Sequence, residues 1–307
     1  MNNNYLNIRY VKLHFKITMT EQTKLPIYKA SALRGGMGEM MLRSHCIRDR
    51  KCDDCDFKTE CLVQRVMYSQ MEIQPKFMTS GDSVGYVLEC EDYREEFYEG
   101  DDLKFNLVLF GKTIVYFSQF LDAFFRLGMM GIGKNKSKFS IVSVTNSKGK
   151  EILRGNNVVM SEYKVLTVND YIQYRMSQIR SKDEICLVFQ TPLSLKYQGE
   201  MILEFAWDAI IKSISRRIYM LDCFEGIENE QNISELENDI LIMHEEHRNV
   251  SVPRYSNRQQ SKMVFRGIEG ELKVSGVSDE LLQVILAGEL LHIGKNTSFG
   301  FGRYRVK

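Results

Sequence analysis

The sequence predicts an α+β chain made of two copies of a β-α-β-β-α-β unit with antiparallel sheets. Three observations carry that expectation. The word Ile132-Gly133-Lys134-Asn135 returns as Ile293-Gly294-Lys295-Asn296, followed each time by Ser and, one position out of step, by Phe. Both copies follow stretches with helical apolar spacing, residues 113–127 and 279–291. Both precede short alternating runs, residues 139–144 and 301–306, that read as strands. A loop repeated in matched context implies duplication, and 307 residues suffice for two domains.

In the first half, residues 5–19 alternate apolar and polar side chains with one phase slip near Lys12, as a strand does. Pro26 precedes a helix over 28–43, in which Gly35, Gly36 and Gly38 each cost roughly 1 kcal/mol against alanine, so close packing or approach to a ligand must need them. Residues 83–90 and 103–110 are predicted strands around an acidic loop, ahead of the first repeated helix, loop and strand. This β-α-β-β-α-β order is the ferredoxin-like arrangement, whose four-stranded sheet is also the RNA-recognition scaffold.

A connector over 149–182 holds a hairpin about Gly155-Asn156-Asn157 and a short helix capped by Val168-Asn169-Asp170. The second half, 183–307, opens with a strand over 184–197 broken at Pro192, then a helix over 199–224 whose stripe includes Ile202, Phe205, Ala209, Ile210, Ile214 and Ile218. Two strands follow, residues 254–260 and 263–274, the latter turning at Gly267-Ile268-Glu269-Gly270. Ser278 is the expected N-cap of the last helix. The N-terminal domain is thus 1–148, with an insertion at 45–75.

Seven cysteines and no visible targeting or membrane-spanning segment point to a reducing cytoplasm, without disulfides or a membrane partner. Net charge is only +1, against the strongly basic balance common in nucleic-acid proteins, yet charge is segregated. Residues 89–102 hold eight acids and 222–246 hold nine, leaving basic clusters at Arg43/Arg48/Arg50/Lys51, Lys134/Lys136/Lys138, Lys212/Arg216/Arg217 and Arg254/Arg258/Lys262/Arg266.

The repeated loops are not P-loops, because each follows a helix and precedes a strand. Gly294, Gly300 and Gly302 free backbone amides to approach a ligand, with Lys295, Arg303 and Arg305 beside them, as a phosphate site requires. Cys46, Cys52, Cys55 and Cys61 have the spacing of a tetrathiolate metal site, with zinc expected and an iron–sulfur cluster the alternative. His244-Glu245-Glu246-His247 puts its histidines three apart, which misses the metalloprotease spacing and reads as solvated surface.

Five words in order resemble the CRISPR-associated endoribonucleases of the RAMP superfamily. They are Ala32-Leu33-Arg34-Gly35-Gly36-Met37-Gly38 with the cysteines behind it, Phe110-Gly111 leading to Gly131-Ile132-Gly133, Phe189-Gln190-Thr191-Pro192-Leu193 with Arg216-Arg217, Arg254-Tyr255-Ser256 with Arg258-Gln259, and His292-Ile293-Gly294-Lys295 through Gly300-Phe301-Gly302-Arg303-Tyr304. The resemblance implies tandem ferredoxin-like domains and metal-independent cleavage of precursor CRISPR RNA within its repeats. The 2′-OH attacks, leaving a 2′,3′-cyclic phosphate and a 5′-OH.

It nominates His45, then His292, as general base or acid, with Lys295 and Arg34 as charge stabilisers. The RNA contacts it suggests are Arg34, Lys134, Lys136, Arg254, Arg258, Gly294, Asn296, Ser298, Gly300, Gly302 and Arg303. No catalytic cofactor is implied, the structural zinc being read from the cysteine spacing alone, and the implied partners are repeat RNA and CRISPR effector or adaptation proteins. Two readings stay open beside it: a non-catalytic RNA-binding subunit, and a zinc or iron–sulfur protein unconnected with RNA.

Overall fold

The computed structural model describes residues 6–50, 52, 54–68, 70–71, 73–78, 83–133, 135–155, 157–228, 240–256 and 261–307. The chain divides into two units. One holds residues 10–71 and 77–165; the other holds 1–9, 72–76 and 166–307. The segment read as a connector is therefore shared between them at residue 165.

In the N-terminal unit β1 (Arg9–Met19) is followed by α1 (Lys29–His45), α2 (Leu62–Met67), β2 (Tyr86–Glu89), β3 (Asp102–Phe110), α3 (Phe117–Met130) and β4 (Phe139–Asn146). The sheet order is β2-β3-β1-β4, all antiparallel. Tyr10 and Val11 are both buried, which is the phase slip seen in the sequence; from Lys12 onward burial alternates along β1. The faces so selected carry Phe15 and Phe105, stacked at 4.9 Å, against Phe124 of α3.

Helix α1 packs on α3 and α2, and its glycines are explained there. A Cβ at Gly36 would lie 2.5 Å from Leu127 Cδ1 of α3, and one at Gly38 would lie 2.8 Å from Met67 Cε of α2. Gly35, by contrast, faces open space. The helix expected from residue 113 begins as a 3-10 turn over Gly111–Tyr116 and becomes α-helical only at Phe117.

The C-terminal unit holds α4 (Val168–Met176), β5 (Glu184–Leu193), α5 (Trp207–Glu225), β6 (Leu241–Ser256), β7 (Ser261–Ser275), α6 (Asp279–Leu291) and β8 (Tyr304–Val306). Its order, β6-β7-β5-β8, repeats that of the first sheet, again antiparallel. Both units are ferredoxin-like. Ser278 caps α6 by accepting the Leu281 amide. The cap of α4 is Thr167, whose side chain forms a capping box with Asp170, one residue before the expected start.

Three expectations are corrected here. Helix α5 starts at Trp207 rather than 199, because residues 196–201 turn into a small hairpin pairing Lys196 with Met201. The strand expected over 254–260 starts far earlier: β6 runs Leu241–Ser256 and carries the exposed His244 and Glu246, solvated as expected, while residues 257–260 lie outside the described ones. Strand β7 runs straight through Gly267 and Gly270 instead of turning there. Gly270, at φ 143°, serves close strand approach, since a Cβ would lie 2.0 Å from Glu246 O on β6. Among the described residues no helix is long and apolar enough to cross a membrane.

Candidate nucleic-acid interface

The second repeated loop is built by the exit from α6. His292 turns the chain with φ of 56°, is 0% exposed, and sets its Nδ1 3.1 Å from the Phe301 carbonyl. The loop is tied to the end of β5 and to α5. Amides of Gly294, Lys295 and Gly302 donate to Ser213 Oγ (2.8 Å), Ser194 O (2.7 Å) and Pro192 O (3.0 Å). Thr191 Oγ1 donates to Gly300 O at 2.8 Å and accepts from the Arg303 amide at 3.0 Å, while Arg217 Nε donates to Leu291 O at 3.1 Å.

Two expectations give way to this geometry. The amides of Gly294 and Gly302 serve the chain itself. At Gly302 a Cβ would lie 1.7 Å from Ile293 O, so the glycine admits neighbouring backbone where a ligand was expected. His292, sealed inside the loop it closes, has no route to a ribose hydroxyl as placed. The loop's outward offering is charge: Lys295 is exposed and Arg303 half-exposed, beside Asn296 in the left-handed region and a 3-10 turn that buries Ser298.

The hairpin of β6 and β7 reaches the same loop. The Arg254 guanidinium lies against the rings of both Phe265 on β7 and Phe299 in the loop, with its central carbon 4.9 and 4.4 Å from their centroids. Phe265 also meets Phe299 and Phe301 edge-on at 5.3 and 5.5 Å. The sequence singled out Arg254 as a cation but missed the rings, whose only signal was aromatic spacing around the loop. The register also divides the basic cluster. Arg254 pairs with Met263, Lys262 with Tyr255 and Arg266 with Ser251, so Arg254 faces one side and Lys262 and Arg266 the other.

Lys134 and Arg258 lie outside the described residues. In the first repeated loop, closed by paired Ile132 and Ser137 amides (2.8 and 3.0 Å), Lys136 and Lys138 are exposed. Arg34, on α1, is half-buried with Nη2 3.3 Å from Ser83 Oγ. His45, half-buried, ends the same helix. Eleven residues separate them, or roughly 16 Å along the axis, so α1 does not bring them together. His14 bonds Asn106 at 2.7 Å within the sheet, while His247 pairs with Glu245 at 2.9 Å and His244 stands exposed.

The four expected ligands Cys46, Cys52, Cys55 and Cys61 all line one cavity of about 20 Å³, together with Leu42, Arg48, Arg50, Lys58 and Gln64. Among the described residues, the ligand atoms that gather within 4.8 Å of one another are those of His244, Glu246 and Glu271 and not these thiols. Sequence reasoning missed a second buried polar cluster. The Glu289 carboxylate accepts from Tyr171 (2.6 Å), Arg175 (3.0 Å), Arg305 (2.5 Å) and the Val306 amide (3.0 Å). Burial, with Glu289 adjacent, pushes the Tyr171 phenol well up. This network makes Arg305, expected beside the phosphate loop, a structural tie as well.

Residues 8–168, 161 of the 307, match the AF_1859_N N-terminal domain family, and residues 187–304 match the family described as CRISPR-associated endoribonuclease Cas6. The Cas6 match covers β5 through the loop with Arg254, Lys295 and Arg303. The chain belongs to the AF_1859_N family through its N-terminal half, and its C-terminal part carries a match to Cas6. An uncharacterized protein of Archaeoglobus fulgidus is 22% identical to this chain over 291 residues, covering 93% of it and 94% of the relative.

Among solved structures, a chain of a partial Cas6-RT-Cas1–Cas2 complex superposes with TM-score 0.60 at 13% identity, covering 98% of this chain but 46% of that one. The chain thus spans under half the length of that relative. A Cas6 product complex gives 0.55 at 14% identity, covering 97% and 100%, and the Thermus thermophilus Cas6 gives 0.52 at 12%, covering 98% and 99%. These likenesses show the tandem ferredoxin-like fold.

Proposed function

We propose that this Cas6-type chain is an endoribonuclease that cuts precursor CRISPR RNA within its repeats without a catalytic metal. The Cas6 family match over the half bearing the cationic loop is the observation that carries the reading. In the reaction a general base takes the proton from the ribose 2′-OH, whose oxygen attacks the adjacent phosphorus. The P–O5′ bond breaks, the 5′-oxygen takes a proton from a general acid, and a 2′,3′-cyclic phosphate and a 5′-OH remain. Fixed cations offset the extra charge of the transition state.

Lys295 and Arg303 are suited to that electrostatic role, and Lys136 and Arg254 to holding the strand's phosphates. The Phe299 and Phe265 rings add faces on which an unpaired base stacks. His45 is the histidine proposed for proton transfer, since it retains exposure where His292 has none. Repeat RNA is the proposed partner. Adaptation proteins are proposed as further partners, on the likeness to the Cas6-bearing chain of the Cas6-RT-Cas1–Cas2 complex.

The test is cleavage of a cognate repeat RNA in EDTA. Scission persists, a single 2′-deoxy substitution at the cut abolishes it, and mass spectrometry finds the cyclic phosphate. His45→Ala slows cleavage by about 10²-fold or more with RNA affinity kept. Loss of cleavage on chelation while the fold survives would overturn the mechanism. The burial of His292 favours a second reading, an RNA-binding subunit without scission, which predicts tight binding and intact RNA.

A further inference from the structure

Beyond His45, RNA cleavage leaves the insertion from Cys46 onward without work. Cys46 is the residue at which α1 stops, its amide still bonded to Leu42 O at 3.0 Å. Cys61 is the residue from which α2 starts, in extended conformation with φ of −66° and ψ of 120°. Between them the Lys58 amide closes a turn on the Cys55 carbonyl at 3.2 Å. Two helix ends and one turn thus place four half-buried free thiols along the lining of a single cavity of about 20 Å³, room for one ion or one water, and a bound ion would draw their sulfurs closer than the 4.8 Å within which they do not yet group.

Among the described residues nothing else lining that cavity competes for a soft metal. The remaining lining is one leucine, one glutamine and the cations Arg48, Arg50 and Lys58, none of them a ligand for a soft metal. The contact of Cys46 Sγ with the Arg48 carbonyl, at 3.4 Å, is a weak thiol hydrogen bond that a metal would readily replace. Electrostatics also argue against a surface for RNA. Arg43 and Arg50 both pair with Glu39, and Arg48 lies 3.7 Å from Asp56, so the cations are answered locally.

We propose that Cys46, Cys52, Cys55 and Cys61 bind one zinc ion, in a closed structural site that orders the loop between α1 and α2. The proposal stands apart from the RNA reading. Closed four-sulfur coordination leaves no open position for substrate, so it is compatible with cleavage that continues in EDTA.

Elemental analysis of the full chain, purified without added metal, is expected to give about one zinc per chain. A mercurial thiol reagent releases it to a chromophoric chelator, and cobalt taken up in its place shows tetrahedral thiolate absorption. Cys52→Ser/Cys55→Ser removes the metal and speeds protease nicking within residues 46–61 by tenfold or more, whereas Cys90→Ser/Cys186→Ser keeps both as in the native chain. A metal-free chain that takes up no cobalt, a brown chain carrying iron and sulfide, or disulfides among the four cysteines would each overturn the proposal. None of these readouts depends on RNA, so they decide the metal whatever the cleavage assay shows.

Discussion

Asp222, on α5, is 5% exposed and its Oδ2 has no hydrogen-bond partner among the described residues. Burial first, and the neighbouring Glu225 second, push its carboxyl up to about 7. A folded-state value above the unfolded one means that the native chain binds the proton more tightly. Asp222 therefore costs stability progressively as pH rises from about 4 to about 7, and by a constant amount above that. Urea titrations of Asp222→Asn are expected to remove that part of the slope, gaining on the order of 1 kcal/mol at pH 8 and little at pH 4. An unchanged pH profile would show that the carboxyl is hydrated. Lys29, 0% exposed, contrasts with it: its ammonium donates to the Asp92 carbonyl at 2.7 Å and to that of Arg94, so this buried charge is satisfied.

At the scale of elements, glycine means different things in one helix and one loop. Gly35 faces open space on α1, so Gly35→Ala is expected to stabilise by up to about 1 kcal/mol through helix propensity. Gly302 has φ of 67° and its Cβ position falls on the Ile293 carbonyl, a backbone atom that cannot swing aside. Gly302→Ala is expected to cost more than about 2 kcal/mol and to weaken repeat-RNA binding, both measurable by thermal melts and filter binding. Equal effects at the two positions would contradict this assignment. Composition alone cannot separate them, because a costly glycine in a helix and one in a loop look alike until the neighbouring backbone is placed.

Over the whole molecule, each unit holds its own ferredoxin-like sheet and core, and Glu289 is the point where α4, α6 and β8 of the C-terminal unit meet. Removing one partner of a buried ion pair strands the others. Glu289→Ala is thus expected to destabilise by on the order of 3–5 kcal/mol, with hydrogen exchange losing protection in α4, α6 and β8. Protection lost instead around β1–β4 would place the keystone elsewhere.

The duplicated loop word, the matched helices ahead of it and the alternating runs determined by themselves the tandem βαββαβ architecture. The cysteine spacing likewise singled out the four thiols that line one cavity. These were legible because periodicity and local spacing are written in neighbouring residues. What only the tertiary structure decided was direction and access: that His292 is sealed, that the Gly294 and Gly302 amides serve the loop's own scaffold, that Arg254 packs against both Phe265 and Phe299, and that β7 does not turn at Gly267. Each depends on partners distant in the chain, or on which pleat faces outward, and a one-residue change of strand register reverses that facing without altering the composition.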